Sequence, residues 1–439
     1  MPASNAPGLL GSPNTSRRIP PFSGLLTDNA RIAIPSLLSE VKYGDGVWLA
    51  TERNPSTSTD DIAVWRSVND GATWQRIILK PGTKGGGSLA YGNGIWIVQP
   101  AGYFATPGVY LSYKSVRPLV SRDKGLTWTE LTTLTPVTGW SFAYGRKIGW
   151  VAVTTGWDGT TDYSTYGQYG NPSNSKSARS TDNGLTWTYG NVPLGVGQLA
   201  RIVYMEESQL TGAGRFYAIN YITNTQYTSV DAVNWSNYLM SPSNRFTPPR
   251  NAITFQVAPI VLPSNTSITN YSSTGALQNS LLTARTDAWL VAHTESNTYG
   301  QVQNNYYSLV GWGLQDLGEK VISATGYSVS DPNVLNGTAF APGGVTGTGK
   351  NTIKANTLAV GNGVVVAALW DNWYDWINVI AYTRNCVNWV YCVLPNPFRS
   401  FSHIASDGVE KFMVCWVEDA DGTQIHPLNP VNTFTAILK

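Results

Sequence analysis

The side chains best suited to chemistry are aromatic rings interleaved with carboxylates and amides. Trp370-Asp-Asn-Trp-Tyr-Asp-Trp376 is one such run, and Trp157-Asp-Gly-Thr-Thr-Asp-Tyr163, followed by Tyr166 and Tyr169, is another. Rings stack on pyranose faces while Asp and Asn take the hydroxyls, which makes Trp157, Tyr163, Tyr166, Trp370, Trp373 and Trp376 candidates for binding a glycan. The same residues also suit loop and sheet packing, because the chain holds 17 Trp and 23 Tyr.

Other patterns lead to no reactive group. Lys84-Gly-Gly-Gly87 has the wrong order for a phosphate loop and leads into a strand, so it reads as a turn. Glu418-Asp-Ala-Asp-Gly422 lacks the further ligands of a calcium loop and reads as a hairpin turn. His293, His403 and His426 stand apart from any Ser or Cys motif that would complete a triad and are expected to be structural. Cys386, Cys392 and Cys415 form no CxxC pair, so reduced, buried thiols are expected in place of a disulfide or zinc site. The expectation is no metal and no cofactor.

Composition narrows the partners. A formal charge of +2 with scattered Lys and Arg provides no basic stripe for a run of phosphates, which sets nucleic acid aside. The opening Met-Pro-Ala-Ser-Asn-Ala-Pro has neither a basic nor an apolar segment, and no run of apolar residues is long enough to span a bilayer. A soluble chain with no membrane insertion and no ordinary export signal is expected.

The elements that must position these residues are strands. The 43 Gly, the abundant aromatics and a charged fraction of only 13% suit short strands and tight turns. A turn followed by an apolar strand recurs, as Tyr43-Gly-Asp-Gly-Val-Trp-Leu-Ala50 and Tyr91-Gly-Asn-Gly-Ile-Trp-Ile-Val98, then near Trp150, Phe216, Trp289, Val365 and Phe412. Counting from Trp48, the spacings are 48, 54, 66, 73, 76 and 47 residues. The Gly-Asp-Gly and Gly-Asn-Gly pieces read as hairpin turns that need positive φ, and the run after each reads as a strand buried on both faces.

A second motif, Ser-x-Asp-x-Gly-x-Thr-Trp, follows each of the first three copies as Ser67 to Trp74, Ser121 to Trp128 and Ser180 to Trp187. Shortened versions run from Ser229 to Trp235 and from Thr383 to Trp389, and a vague one lies near Ser308 to Trp312. The third-position side chain can accept backbone N–H bonds inside the turn, the Gly permits a left-handed residue, and the Trp packs onto the following sheet. Asn69, Asp123, Asp182, Asp231 and Asn385, with Trp74, Trp128, Trp187, Trp235 and Trp389, are therefore read as hairpin-forming residues.

Repeats at this period predict an all-β fold, a seven-bladed β-propeller over residues 31–439, with six blades as the alternative count. Closure of such a ring borrows a strand from the opposite terminus, and residues 20–40 or Thr433 to Leu438 can serve. The long spacings mark three insertions, Trp157 to Lys176, Ser241 to Ala284 and Thr294 to Gly349. Residues 1–30, with Pro2, Pro7, Pro13, Pro20 and Pro21, read as an extended arm.

The second motif resembles the Asp box of the sialidase superfamily, and the likeness extends over about 45 residues near the start of the chain. There Arg31-Ile-Ala-Ile-Pro-Ser-Leu-Leu38, Glu52-Arg53 and Asp60-Asp61 resemble that family's opening segment, second arginine and acidic loop. The resemblance implies that Arg31 and Arg53 bind a substrate carboxylate and that Asp60 or Asp61 is a general acid/base. It further implies a Tyr nucleophile, for which Tyr327 stands with Glu206 or Glu207 beside it, and clamp arginines at Arg250 and Arg285. The sequence departs from the family in that Arg31 lies two residues too far from its Pro, and no clear later arginine pair appears.

The pairing of Gly-Asn-Gly-Ile-Trp-Ile-Val with Ser-x-Asp-x-Gly-Leu-Thr-Trp also resembles repeat proteins of tailed-bacteriophage virions, over most of residues 40–416. That resemblance implies a non-enzymatic tail or fibre protein, located in the virion and assembled in the host cytoplasm. Its partners would be other virion proteins and a host-cell glycan. An exo-sialidase-type glycoside hydrolase and a free lectin-like module are the other two readings.

Overall fold

The computed structural model describes residues 32–36, 38–52, 61–81, 87–100, 103–104, 113–114, 117–134, 140–154, 176–191, 199–205, 214–220, 225–238, 255–262, 267–271, 277–281, 286–296, 302–311, 316–320, 353–361, 364–371, 379–383, 390–393, 400–409, 411–418 and 432–438. Every regular element among them is a strand. β1 (Ile32–Ile34) precedes β2 (Leu38–Gly44), β3 (Val47–Glu52), β4 (Ile62–Ser67) and β5 (Gln75–Lys80). Next come β6 (Gly87–Gly92), β7 (Ile95–Pro100), β8 (Tyr103–Phe104), β9 (Tyr113–Lys114), β10 (Leu119–Ser121) and β11 (Thr129–Glu130). β12 (Ser141–Gly145), β13 (Gly149–Thr154), β14 (Lys176–Ser180) and β15 (Thr188–Asn191) lead to β16 (Leu199–Met205), β17 (Arg215–Asn220), β18 (Thr225–Ser229) and β19 (Ser236–Tyr238). The later strands are β20 (Phe255–Leu262), β21 (Ser267–Tyr271), β22 (Leu277–Leu281), β23 (Thr286–Ser296), β24 (Val302–Gly311) and β25 (Asp316–Lys320). β26 (Ile353–Gly361), β27 (Val364–Asp371), β28 (Val379–Thr383), β29 (Val390–Val393), β30 (Ser400–Ser406), β31 (Phe412–Glu418) and β32 (Asn432–Leu438) complete the chain.

These strands form seven four-stranded antiparallel sheets among the described residues, and β8-β9 and β21-β22 make two-stranded hairpins. The chain divides into two compact units. Ser36–Glu207 with Ala213–Arg250 holds blades 1 to 4, which are β2-β3-β4-β5, β6-β7-β10-β11, β12-β13-β14-β15 and β16-β17-β18-β19. Met1–Pro35, Ser208–Gly212 and Asn251–Lys439 hold blades 5 to 7, which are β20-β23-β24-β25, β26-β27-β28-β29 and β30-β31-β32-β1. Within the first unit the innermost strands β2, β6, β12 and β16 lie beside one another, and within the second so do β20, β26 and β30. The fold is all-β and made of propeller blades.

The recurring sequence position has one place in the blade. Trp48, Trp96, Trp150 and Phe216 lie on second strands, wholly buried. Each pairs across the ladder with a Tyr of the innermost strand and with the first Ser of the Asp box: Tyr43 and Ser67, Tyr91 and Ser121, Tyr144 and Ser180, Tyr204 and Ser229. The paired rings lie 4.8, 4.7, 5.5 and 4.8 Å apart. Such contacts contribute about 1 kcal/mol each beyond area burial. β3 and β7 are buried along their whole length, as a strand flanked in its own sheet and covered on both faces must be.

The two glycines of the turn do different work, which refines the expectation that both serve the hairpin. Asp45 and Gly46 have φ of 51° and 80°, and Asn93 and Gly94 have 49° and 76°, the two consecutive left-handed residues of a type I′ turn. The first glycine instead makes room for the next blade. A Cβ on Gly44 would lie 2.4 Å from the Tyr91 ring, and one on Gly92 would lie 2.2 Å from the Tyr144 Cβ.

Both termini complete blade 7. β32 is its third strand and β1 its fourth, with Ile32 opposite Thr435 and Ile34 opposite Thr433. Two of the expected insertions contain three of the four strands of blade 5. β20 lies inside Ser241 to Ala284, and β24 and β25 lie inside Thr294 to Gly349. Pro259 disguises β20 in the sequence, yet an innermost strand has a partner on only one side and tolerates Pro. Ser308 pairs with Val291, not with Trp289, so it does not take the place of a box serine.

Candidate functional site

The Asp boxes are closed circuits. In the third blade Ser180 donates to the Asp182 carboxylate at 2.7 Å and accepts the Gly184 N–H at 2.7 Å, while Leu185 and Thr186 donate their N–H groups to Asp182 at 3.1 and 2.9 Å. Ser121 and Asp123 repeat this with Gly125, Leu126 and Thr127, and Ser67 and Asn69 with Gly71 and Thr73. Asp70-Gly71, Lys124-Gly125 and Asn183-Gly184 supply two left-handed residues per turn. The shortened box at Ser229 manages with one, Ala232 at φ 62°, and its Asp231 accepts N–H bonds from Val233 and Asn234 at 2.9 and 2.8 Å.

This bonding sets the charge of the carboxylates. Burial by itself would raise the Asp123 pKa, but the hydroxyls and amides of Thr127, Ser121 and Leu126 outweigh it and hold the group at about 2. The Thr186 hydroxyl, with the Thr186 amide and Ser180, holds Asp182 at about 2, and the amides of Asn234 and Val233 hold Asp231 lower against the effect of burial. A carboxylate so engaged is a poor proton shuttle at neutral pH.

The boxes also tie neighbouring blades. Arg66 Nε donates to the Lys124 carbonyl at 2.8 Å, Arg122 Nη1 to the Asn183 carbonyl at 3.0 Å and Arg179 Nη1 to the Asp231 carbonyl at 3.3 Å. The fourth box residue chooses between partners. Asp70 turns inward and accepts the Trp48 indole N–H at 3.4 Å. Lys124 turns back to Asp45 of blade 1 at 3.2 Å, and Asn183 accepts from Asn93 of blade 2 at 2.7 Å. The indole N–H groups of the equivalent Trp96 and Trp150 are left buried without an acceptor.

The opposite end of each blade is where second strands finish and third strands begin. Among the described residues, the buried polar side chains there include Thr51, Glu52, Gln99, Thr154 and Ser177. Glu52 accepts the Trp65 indole N–H at 2.7 Å and a two-pronged contact from Arg76 at 2.8 and 3.0 Å. Thr51 donates to the Gly87 carbonyl at 2.8 Å, and Glu40 accepts the Leu89 N–H at 2.7 Å, joining blade 1 to blade 2. Sequence reasoning missed Glu52 and Glu40 as structural carboxylates; for Glu52 the signal was its place at the end of an apolar strand.

The topology sorts the residues singled out in the sequence. Asp60 and Asp61 precede β4, Arg53 follows β3, Trp157, Tyr163 and Tyr166 fall between β13 and β14, and Trp373 and Trp376 fall between β27 and β28. Each of these positions falls, in sequence, between a second and a third strand. Asp61 is half-buried just before β4, and the backbone of Trp370 lies in β27. Arg31, Arg53, Asp60, Tyr327, Trp157, Tyr163, Tyr166, Trp373 and Trp376 lie outside the described residues, as do Asn385 and Trp389 of the last box, Glu206, Glu207, Arg250 and Arg285. Trp74, Trp128 and Trp235 are half-buried and Trp187 is buried at the box ends. Cys415 is a buried free thiol, pushed well above its ordinary pKa by burial. Gly87 opens β6, and Lys84, Gly85 and Gly86 lie outside the described residues. Among the described residues no group of three or more acidic, His or Cys side chains converges on a metal position, and no helix is long and apolar enough to cross a membrane.

No protein-family model matches the chain, and no curated protein matches it. Among solved structures the chain is similar to a Trypanosoma rangeli sialidase, at 12% identity and a TM-score of 0.39 over 85% of this chain and 59% of that one. A streptogramin B lyase aligns at 11% identity and a TM-score of 0.41, covering 93% of this chain and 96% of the other. A polysaccharide lyase, an ulvan lyase, aligns at 10% identity and a TM-score of 0.48 over 93% of both chains.

Proposed function

We propose that this chain is a non-enzymatic structural protein of a tailed-bacteriophage virion, a tail or fibre component that closes as a seven-bladed ring and recognises a host glycan. The observation that carries this reading is the division between blade ends. The described box carboxylates are consumed inside their own turns, and buried Glu52 is already held by Arg76 and Trp65, so neither supplies a free acid/base pair. The aromatic runs fall in sequence between second and third strands, not in the boxes, and such rings can stack on a sugar. The phage-like pairing of the two repeated motifs supports the virion setting.

A glycan array combined with a fluorogenic sialoside tests the reading. The expected result is glycan binding that Trp157→Ala with Tyr163→Ala abolishes, with no release of fluorophore. A stable monomer that cleaves the sialoside, and loses cleavage in Arg53→Ala and Tyr327→Phe, would replace this reading with an exo-sialidase.

A further inference from the structure

The box ends of blades 1 to 4 carry aliphatic side chains that their hairpins do not use. Leu126, Leu185 and Val233 occupy the same place in three successive turns and are 49%, 59% and 54% exposed. Val68 and Val230 add two more, 59% and 48% exposed. The turns need only the backbone at these places, since it is the N–H groups of Leu126, Leu185 and Val233 that bond the box carboxylates. The Arg66, Arg122 and Arg179 bonds to Lys124, Asn183 and Asp231 hold each turn against the next, two residues from each aliphatic tip. Exposed apolar side chains repeated at one position of adjacent, hydrogen-bonded turns mark an interaction surface.

Charge selects the partner. Arg122, Lys124, Arg146 and Lys147 are exposed at this end, whereas Asp45 is the exposed carboxylate among the described residues there and is paired with Lys124 at 3.2 Å. Asp123, Asp182 and Asp231 are turned into their own loops. We infer that these turns dock a protein surface on which carboxylates flank apolar side chains. A second copy presenting the same face is disfavoured, because it would set Arg122 and Arg146 against cations. In naming another virion subunit as that partner, the inference rests on the proposed function.

The test uses the full chain with synthetic probes: a random Glu/Tyr copolymer, polyglutamate as a charge-only control and a Lys/Tyr copolymer as a sign control. The Glu/Tyr copolymer is expected to bind about ten-fold more tightly than polyglutamate. Leu126→Ser with Leu185→Ser and Val233→Ser is expected to remove that difference without moving the unfolding temperature, because these side chains are exposed. Arg146→Glu is expected to weaken copolymer binding independently. Equal binding by wild type and the triple serine variant, or binding of the Lys/Tyr copolymer as tightly, overturns the inference. Because the probes contain neither sugar nor virion protein, their failure leaves the glycan and sialoside results standing, and the reverse also holds.

Discussion

The two ends of a blade are built on opposite plans. At the box end, blades 1 to 4 repeat one circuit of Ser, Asp or Asn, and backbone amides, with the aromatic pair beneath it. At the other end the spans differ in length: one passes from Glu52 to Ile62, another from Thr154 to Lys176 and a third only from Asn220 to Thr225. The difference teaches where variation is tolerated. A turn whose donors and acceptors are satisfied within a few residues admits little change, whereas the span between two strand ends can lengthen at small entropic cost.

The strongest way to break this comparison is to damage the repeated end. Gly92→Ala places a Cβ 2.2 Å from the Tyr144 Cβ, backbone-anchored atoms with little freedom to give. A loss of about 3 kcal/mol is expected, read as a lowered unfolding temperature. Gly94→Ala, where the new atom meets nothing within 4 Å but the backbone has φ 76°, is expected to cost about 1 kcal/mol. Equal losses would mean that the first glycine is kept for its backbone after all.

Acid probes the same circuits more gently. Asp123 and Asp182 sit at about 2 in the folded chain, below the roughly 4 of an unfolded carboxylate. Their stabilisation is fully present above about pH 4 and is lost as pH falls through about 2. Unfolding temperature measured against pH is expected to drop across that window. Asp123→Asn with Asp182→Asn, which keeps one acceptor oxygen as Asn69 does naturally, is expected to flatten the drop. An unchanged profile would show that other carboxylates control acid stability.

The smallest effect sharpens the choice made by the fourth box residue. Lys124→Asp is expected to give the Trp96 indole the acceptor that Asp70 gives Trp48, while losing the Asp45 ion pair. The two changes offset to within about 1 kcal/mol. Slower hydrogen exchange at the Trp96 indole is the diagnostic, and unaltered exchange would sink the idea.

The sequence by itself determined what is local. Gly-x-Gly turns, buried aromatic strands and Asp boxes follow from φ preferences, period-two burial and short-range hydrogen bonding, so seven equivalent positions from Trp48 to Phe412 were legible in it. Each lies on the second strand of its sheet. Tertiary structure decided what depends on a neighbour. That Gly44 and Gly92 clear space for Tyr91 and Tyr144, that Arg66 reaches a carbonyl in blade 2, and that β1 pairs with β32 are contacts between residues 47 to more than 400 positions apart. No local pattern encodes them. Glu52 shows the limit most plainly: in the sequence it stands beside a candidate catalytic arginine, and in the fold it is a buried anchor, because Arg76 and Trp65 arrive from the two strands beyond it.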